Sequence, residues 1–350
     1  MMPKPSLDPQ PRRILLTGAS SGLGFEAAVR LRRAGHQLTL PCRDGPTAET
    51  TLDRLEGEAT SGPPPVAPLC DLADLASVER CAADLLRRGE PIDCLVLNAG
   101  LQYSGSPAPR RSAQGHELTI AVNHLGHQAL AQRLLPLLDG GQAPRVVVTA
   151  SEVHDPAAAG GRVGKPAGLG DLEGLRAGLI TESGLTMMVA GGLPFNADKA
   201  YKDSKLCNLL FARELERRLR LRGTPMPVLA WSPGLVIPRS GGGFFRYSRR
   251  HNEWGQRLFA LLARDLLRIT ATPQQAGVLL ASLCTDPAFG DTGFSYWSNR
   301  VLGPGRLRFA QTHPSAEALD DGLAQTLWAI SAKLVGLADA LPQTRTTRQL

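Results

Sequence analysis

The sequence predicts an α/β fold: a doubly wound parallel sheet with an insertion before the helix that carries Tyr201. Three observations predict it. The apolar segments at the start of "RILLTGASSGLG" and within "IDCLVLNAG" and "PRVVVTAS" lack the polar–apolar alternation of half-exposed strands and read as buried strands. They alternate with amphipathic helical stretches, the order expected of βαβ units. The first strand also enters its helix through a glycine-rich turn, "TGASSGLG".

After a proline-rich lead over residues 1–11, expected to be flexible, "RILLTGASSGLGFEAAVRLRRAGHQLTLPCRD" reads as strand, turn, helix, strand. "ASVERCAADLLRRG" is a further helix, "IDCLVLNAG" a buried strand ending in a turn, "TIAVNHLGHQALAQRLLPLL" a long helix and "PRVVVTAS" another buried strand. From about residue 152 to 198 the periodicity breaks and glycines accumulate, so this stretch is read as an insertion with some helix. Regular structure resumes with the Tyr201 helix, running to about Leu221, and the strand "PMPVLAWSPG". The segment at about 241–268 mixes aromatics, basic residues and a helical apolar stripe, and is expected to be a loop and helix covering the substrate. Beyond it come a helix at "PQQAGVLLASLC", an aromatic patch at "GFSYWSNR" and a helix at "DDGLAQTLWAISAKLVGLADAL". One domain over residues 12–340 is expected, followed by a tail over 341–350, with no internal repeat.

The bulk properties suit an ordinary soluble globular protein. Hydrophobic residues make up 43% of the 350 and charged residues 20%, which excludes a disordered or fibrous chain. A count of 39 Lys and Arg against 32 Asp and Glu leaves a net charge of +7. The basic residues are dispersed, so no nucleic-acid partner is expected. Cys42, Cys70, Cys81, Cys94, Cys207 and Cys284 form no CxxC pair and read as reduced, buried thiols. No apolar run is long enough to span a bilayer, and the start lacks the apolar core of a secretory signal. A cytoplasmic location is expected, with peripheral contact at an internal membrane left open. His124 and His127 are spaced i, i+3 but have no other ligand cluster near them, so they read as core or helix-surface histidines and no metal is expected.

In the glycine turn, Gly18 permits a tight bend, Gly22 lets backbone approach a pyrophosphate and Gly24 packs helix on strand, leaving helix N-terminal amides for an anion. At the tip of the second strand, Arg43 offers a fork of donors to the 2′-phosphate of NADPH, where NAD would call for an acid. Asp71 can accept from the adenine amino group or cap the following helix. Asn98 and Gly100 end a strand that should lie beside the first, near the cofactor ribose. Asn123 sits in the long helix, where a buried amide needs partners and can continue a proton path to Lys205. Tyr201 and Lys205, at i and i+4, share a helix face, and the cation is expected to lower the phenol pKa so that the phenol can pass a proton to a hydride acceptor. Ser151, at the end of "VVVTAS", can bond the substrate or steady that phenol.

Taken in order, "TGASSGLG", "LNAG", Asn123, Ser151, "YKDSK" and "SPG" at Ser232 to Gly234 resemble the short-chain dehydrogenase/reductase superfamily. The resemblance implies a single Rossmann-like domain and a homo-oligomer. It implies Tyr201 as proton donor, Lys205 on the nicotinamide ribose, Ser151 orienting the substrate and Asn123 in the proton relay. It places the cofactor against Gly18, Ser20, Ser21, Gly22, Leu23 and Gly24, against Arg43, Asp71, Leu72, Asn98, Ala99 and Gly100, and against Tyr201, Lys205, Pro233 and Gly234. Within the superfamily, "AYKDSKLCN", "GLGDLEGL", "FSYWSNR" and "LWAISAKLVGLA" are similar to the light-dependent protochlorophyllide oxidoreductases. That similarity implies hydride transfer from NADPH to the C17–C18 double bond of a tetrapyrrole pigment after it absorbs light, with membrane association. The chain departs from that family at Leu235, where a cysteine is usual, at Ser151, where threonine is usual, and in "GLQYSG". Two alternatives stay open: a light-independent reductase of another carbonyl substrate, and a non-catalytic protein that binds NADPH or pigment.

Overall fold

The computed structural model describes residues 10–58, 62–103, 106, 108–236, 270–303 and 305–343. The expected covering segment at 241–268 lies outside the described residues, as do residues 1–9 of the lead and 344–350 of the tail. Seven strands form one sheet in the order β2-β1-β3-β4-β5-β6-β7. They are β1 (Arg13–Leu16), β2 (Gln37–Thr39), β3 (Cys94–Leu97), β4 (Arg145–Thr149), β5 (Pro227–Ser232), β6 (Gly293–Gly303) and β7 (Arg306–Gln311). Neighbours from β2 through β6 pair in parallel, and β7 closes the edge antiparallel to β6. At the other edge, Val66 and Leu69 bridge in parallel to Thr39 and Cys42, so the chain beyond β2 extends the sheet by a further short run.

Side-chain period two divides each strand between two cores. Leu15, Leu95, Leu97, Val146, Val148 and Val228 point into one; Ile14, Leu16, Val96, Val147, Leu229 and Trp231 point into the other. The first core is covered by α3 (Leu75–Arg88), α5 (Gly126–Asp139), α7 (Ala197–Leu221) and α9 (Asp321–Leu334). The second is covered by α1 (Gly22–Arg33) and α8 (Pro273–Thr285), with Leu55 of α2 (Gly45–Glu56) at its margin. Helices on both faces of a mainly parallel sheet are the doubly wound arrangement expected from the continuous apolar strands.

The insertion packs on the first core through Leu169, Leu172, Leu175, Leu179 and Val189, and contains α6 (Glu173–Arg176). The aromatic patch "GFSYWSNR" is part of β6, the strand that extends the sheet beyond β5. Its Trp297 stacks on Phe309 of β7 and meets Phe289 edge-on, so the aromatics bind the hairpin to the 3₁₀ turn before it. The long helix of the sequence reading is continuous but locally unwound. α4 (Leu118–Ile120) passes through a π-helical turn (Ala121–Leu125) into α5. Asn123 lies in that turn. Among the described residues no helix is long and apolar enough to cross a membrane.

Candidate active site

The carboxyl ends of β1, β3, β4 and β5 open into one cleft, at the point where strand order reverses around β1. Gly18 turns the chain there with φ of 72°, and a Cβ on it would lie 2.7 Å from the Ala99 Cα. Gly24 is tighter still: its Cβ would meet the Gly18 carbonyl oxygen at 2.2 Å. Gly22, with φ of 57°, meets nothing within 4 Å. One glycine bends the turn, one packs the helix and one leaves backbone open to a ligand, as the motif implied. Ser21 is the N-cap of α1 but makes no side-chain cap hydrogen bond, whereas Asp44, Asp74, Asn196, Thr272 and Asp320 each cap their own helix. The first amides of α1 are left without a side-chain acceptor, which fits a phosphate group. Gly24→Ala is expected to cost about 1–3 kcal/mol of stability through backbone overpacking and to abolish dinucleotide binding. A thermal melt with and without NADPH checks both.

A hydrogen-bond network fixes the strand ends. The Thr17 hydroxyl accepts from the Asn98 and Ala99 amides at 2.9 and 3.0 Å. Asn98 Nδ2 donates to the Thr17 carbonyl at 3.1 Å, and Asn98 Oδ1 accepts from the Thr149 hydroxyl at 3.1 Å. That hydroxyl in turn accepts from Trp231 Nε1 at 2.9 Å, so β1, β3, β4 and β5 are tied side to side. The Asn98 side chain is thereby committed to the scaffold.

At the far end of the cleft, Ser151, Tyr201 and Lys205 come together. Ser151 follows β4 and hydrogen-bonds the Tyr201 phenol. The Lys205 ammonium lies 5.7 Å from the centroid of the Tyr201 ring and donates to the Thr149 carbonyl at 3.0 Å. Its Nζ would be 3.6 Å from a Cβ on Gly100, beside the end of β3. Asn123 stands behind this group, fully buried. Its Oδ1 accepts from the Leu101 amide at 2.9 Å, and its Nδ2 donates to the Leu101 carbonyl at 3.1 Å and the Ser204 hydroxyl at 3.0 Å. Ser204 donates to the Tyr201 carbonyl at 2.6 Å. The Asn123 side chain is thus committed to the backbone after β3 and to the helix of Tyr201, and none of its hydrogen bonds goes to Lys205, although both groups approach Gly100.

The electrostatics differ from the sequence expectation in one respect. Burial pushes the Tyr201 phenol above its ordinary value, and the Ser151 hydrogen bond only partly offsets this. Burial, not the Lys205 cation, sets the direction of the phenol's shift. Burial acts on the lysine as well, lowering its pKa to about 7. A helical i, i+4 spacing sets the separation of two side chains but says nothing about how dry their surroundings are. The phenol is therefore protonated at neutral pH, as a proton donor must be.

At the adenosine end, Arg43 follows β2 and pairs with Asp44 at 2.6 Å. Asp44 also caps α2 through the Thr47 amide at 2.8 Å, and its carboxyl falls to about 2, chiefly through the hydrogen bond from Thr47 and then that from Arg43. Asp71 Oδ1 accepts from the Ala73 amide at 3.0 Å, closing its own turn, while Asp74 caps α3. Ser20, Ser21, Leu23, Asp71 and Leu72 border the cleft, as do Pro233 and Gly234 beyond β5. Gly234 has φ of 76°, and a Cβ there would strike the Asn299 carbonyl at 2.5 Å.

Several contributors were not read from the sequence. His127 Nδ1 lies 3.1 Å from the Asn123 carbonyl and Nε2 lies 3.0 Å from the Thr17 hydroxyl, linking the glycine turn to the π-helical turn. A carbonyl only accepts, so Nδ1 carries the proton and the ring is neutral; burial lowers its pKa to about 4. His154 does the same for Ser151, with Nδ1 2.6 Å from the Ser151 carbonyl and Nε2 accepting from the Ser315 amide at 3.2 Å. Lys202, next to Tyr201, donates to the carbonyls of Gly161, Val163 and Lys165 at 2.9, 2.5 and 3.0 Å, pinning an insertion loop that borders the cleft. Spacing alone does not signal the contacts to Thr17, to Ser315 and to the carbonyls of Gly161, Val163 and Lys165, because those partners are distant in sequence. Both His124 and His127 are buried, and the described residues contain no cluster suited to a metal ion.

A glycine turn opening a bare helix end, a phenol and an ammonium on one helix face, and a serine at the neighbouring strand end define a short-chain dehydrogenase/reductase. The family model described as short chain dehydrogenase matches residues 12–162. The chain is 35% identical over 328 residues to protochlorophyllide reductase A of Oryza sativa subsp. japonica, covering 93% of this chain and 80% of that one. It is 36% identical over 333 residues to protochlorophyllide reductase of Avena sativa, covering 93% of this chain and all of that one. Within the short-chain dehydrogenase/reductase superfamily, the chain belongs to the protochlorophyllide reductase family. Among solved structures, an uncharacterized protein from Mycobacterium paratuberculosis superposes with a TM-score of 0.64 at 27% identity, over 95% of both chains.

Proposed function

We propose that the protein is an NADPH-dependent reductase of protochlorophyllide or a closely similar tetrapyrrole, with Tyr201 as the proton donor. The observation that carries the reading is the meeting of Tyr201, Ser151 and Lys205 at one end of an open dinucleotide cleft, in a chain of this family. NADPH supplies the hydride. The ends of the cleft divide the remaining tasks. Arg43 and the open amides of α1 bind phosphate, and the Lys205 ammonium binds the nicotinamide ribose. Ser151 orients the phenol, and Tyr201 delivers a proton to the carbon left carrying negative charge across the reduced double bond. Purified protein mixed with NADPH and protochlorophyllide and then illuminated is expected to develop the red-shifted absorption band of chlorophyllide. A spectrum unchanged after prolonged illumination would refute the pigment assignment.

A second reading is favoured by Leu235, which lines the cleft where the family usually has a cysteine. An apolar side chain there changes the lining on the substrate side of the cleft, and an ordinary ketone or aldehyde takes up one hydride and one proton, the latter from Tyr201 as in the first reading. NADPH oxidation in the dark with such a carbonyl compound would support this reading; turnover strictly dependent on light would exclude it.

A further inference from the structure

The adenosine end of the cleft carries a second guanidinium. Arg54, near the end of α2, lies with its Cζ 3.7 Å from the centroid of the Phe25 ring on α1. Its Nη1 donates to the carbonyl of Ser20, inside the glycine turn, at 2.9 Å. Arg54 borders the same cleft as Ser20, Ser21 and Arg43. Arg43 itself has its Nε committed to Asp44.

A guanidinium held over an aromatic ring and pinned at one corner to a carbonyl has lost part of its rotational freedom. Five N–H donors are available to it and this bond uses one. Holding a long charged side chain in place before a ligand arrives lowers the entropic cost of binding. The group that calls for a planar fork of donors at this end of a dinucleotide is a phosphate on the adenosine ribose, not a hydroxyl.

We infer that Arg54 is a second arginine of the 2′-phosphate site and acts with Arg43 to set the preference for NADPH over NADH. The inference rests on the dinucleotide reading of the cleft and on no choice of reduced substrate.

Direct titration of the full chain with NADPH and with NADH, followed by coenzyme fluorescence without substrate, tests it. Arg54→Leu is expected to weaken NADPH binding by about tenfold, the scale of one exposed charge-assisted hydrogen bond or two, and to leave NADH affinity unchanged. Arg54→Gln keeps a donor for the Ser20 carbonyl but no charge; it is expected to show the same selective loss and carries the test if the leucine variant does not fold. NADPH affinity in the parent should also fall more steeply with salt than in the glutamine variant. Unchanged NADPH affinity in the variants would overturn the inference. Equal weakening of both coenzymes would overturn it too, since Arg54 would then only brace the turn through Ser20. A parent that binds neither coenzyme would refute the dinucleotide reading, and this inference with it.

Discussion

Tyr201→Phe is expected to lower turnover by about 10²- to 10⁴-fold while leaving NADPH affinity unchanged. The substitution removes one oxygen and keeps the ring, so the helix face and the packing around it persist. What disappears is the hydroxyl that Ser151 bonds at the end of β4. Burial holds that hydroxyl protonated well above neutral pH, so the parent enzyme should not lose its proton donor as pH rises through 7 to 9. Single-turnover rates of the two proteins, read beside coenzyme titrations, separate the chemical step from binding. A fall in both together would place the tyrosine in the cofactor scaffold instead.

Lys205→Met is expected to act in two opposing directions. Turnover should fall by at least about 10²-fold, since the buried ammonium lies 5.7 Å from the centre of the phenol ring and is the expected partner of the ribose. The cofactor-free protein should nevertheless become more stable. The folded pKa of Lys205, about 7, lies below its ordinary value of 10.5 because burial disfavours the charged form. Between those two values the unfolded chain binds a proton that the folded chain does not, so this residue makes parental stability rise with pH from about 7 to about 10.5. Below about 7 both states are protonated and the whole burial penalty is felt. Methionine carries no such penalty. The variant should therefore gain roughly 1–3 kcal/mol at pH 6.5, after allowance for the lost bond to the Thr149 carbonyl, and the gain should shrink towards pH 10. Thermal melts at the two pH values check the sign. A variant less stable at pH 6.5 would mean that the ammonium is better solvated than the structure indicates.

The parts of the molecule legible in the sequence are those in which a local pattern fixes a local geometry. A strand buried on both faces is apolar along most of its length, which is why the strands in "IDCLVLNAG" and "PRVVVTAS" could be read directly. The bend at Gly18 and the close approach at Gly24 admit only glycine, so the turn was readable too. Contacts made across the fold were not. β7 reads "RLRFAQ", an alternation that arginines on its open side make resemble a loop, and it is a strand because β6 offers it an edge. α2 begins with an Asp44 cap and a proline in its first turn, signals present in "DGPTAETTLDRLE" but faint against its polar composition. The role of Asn123 was legible as a need for partners, whereas the identity of those partners, Leu101 and Ser204, required the π-helical turn. The expected acidic phenol failed for a related reason: charge separation follows from sequence spacing, and dielectric surroundings follow from tertiary packing.

A crystal structure of the protein with NADP bound tests the central claim most directly. The nicotinamide is expected at the Ser151 end of the cleft, with the Tyr201 hydroxyl facing its reactive carbon, the Lys205 ammonium within hydrogen-bond distance of the ribose hydroxyls, and the 2′-phosphate between Arg43 and Arg54. A Tyr201 hydroxyl turned into solvent, or a coenzyme that leaves Lys205 without a ribose contact, would contradict that claim.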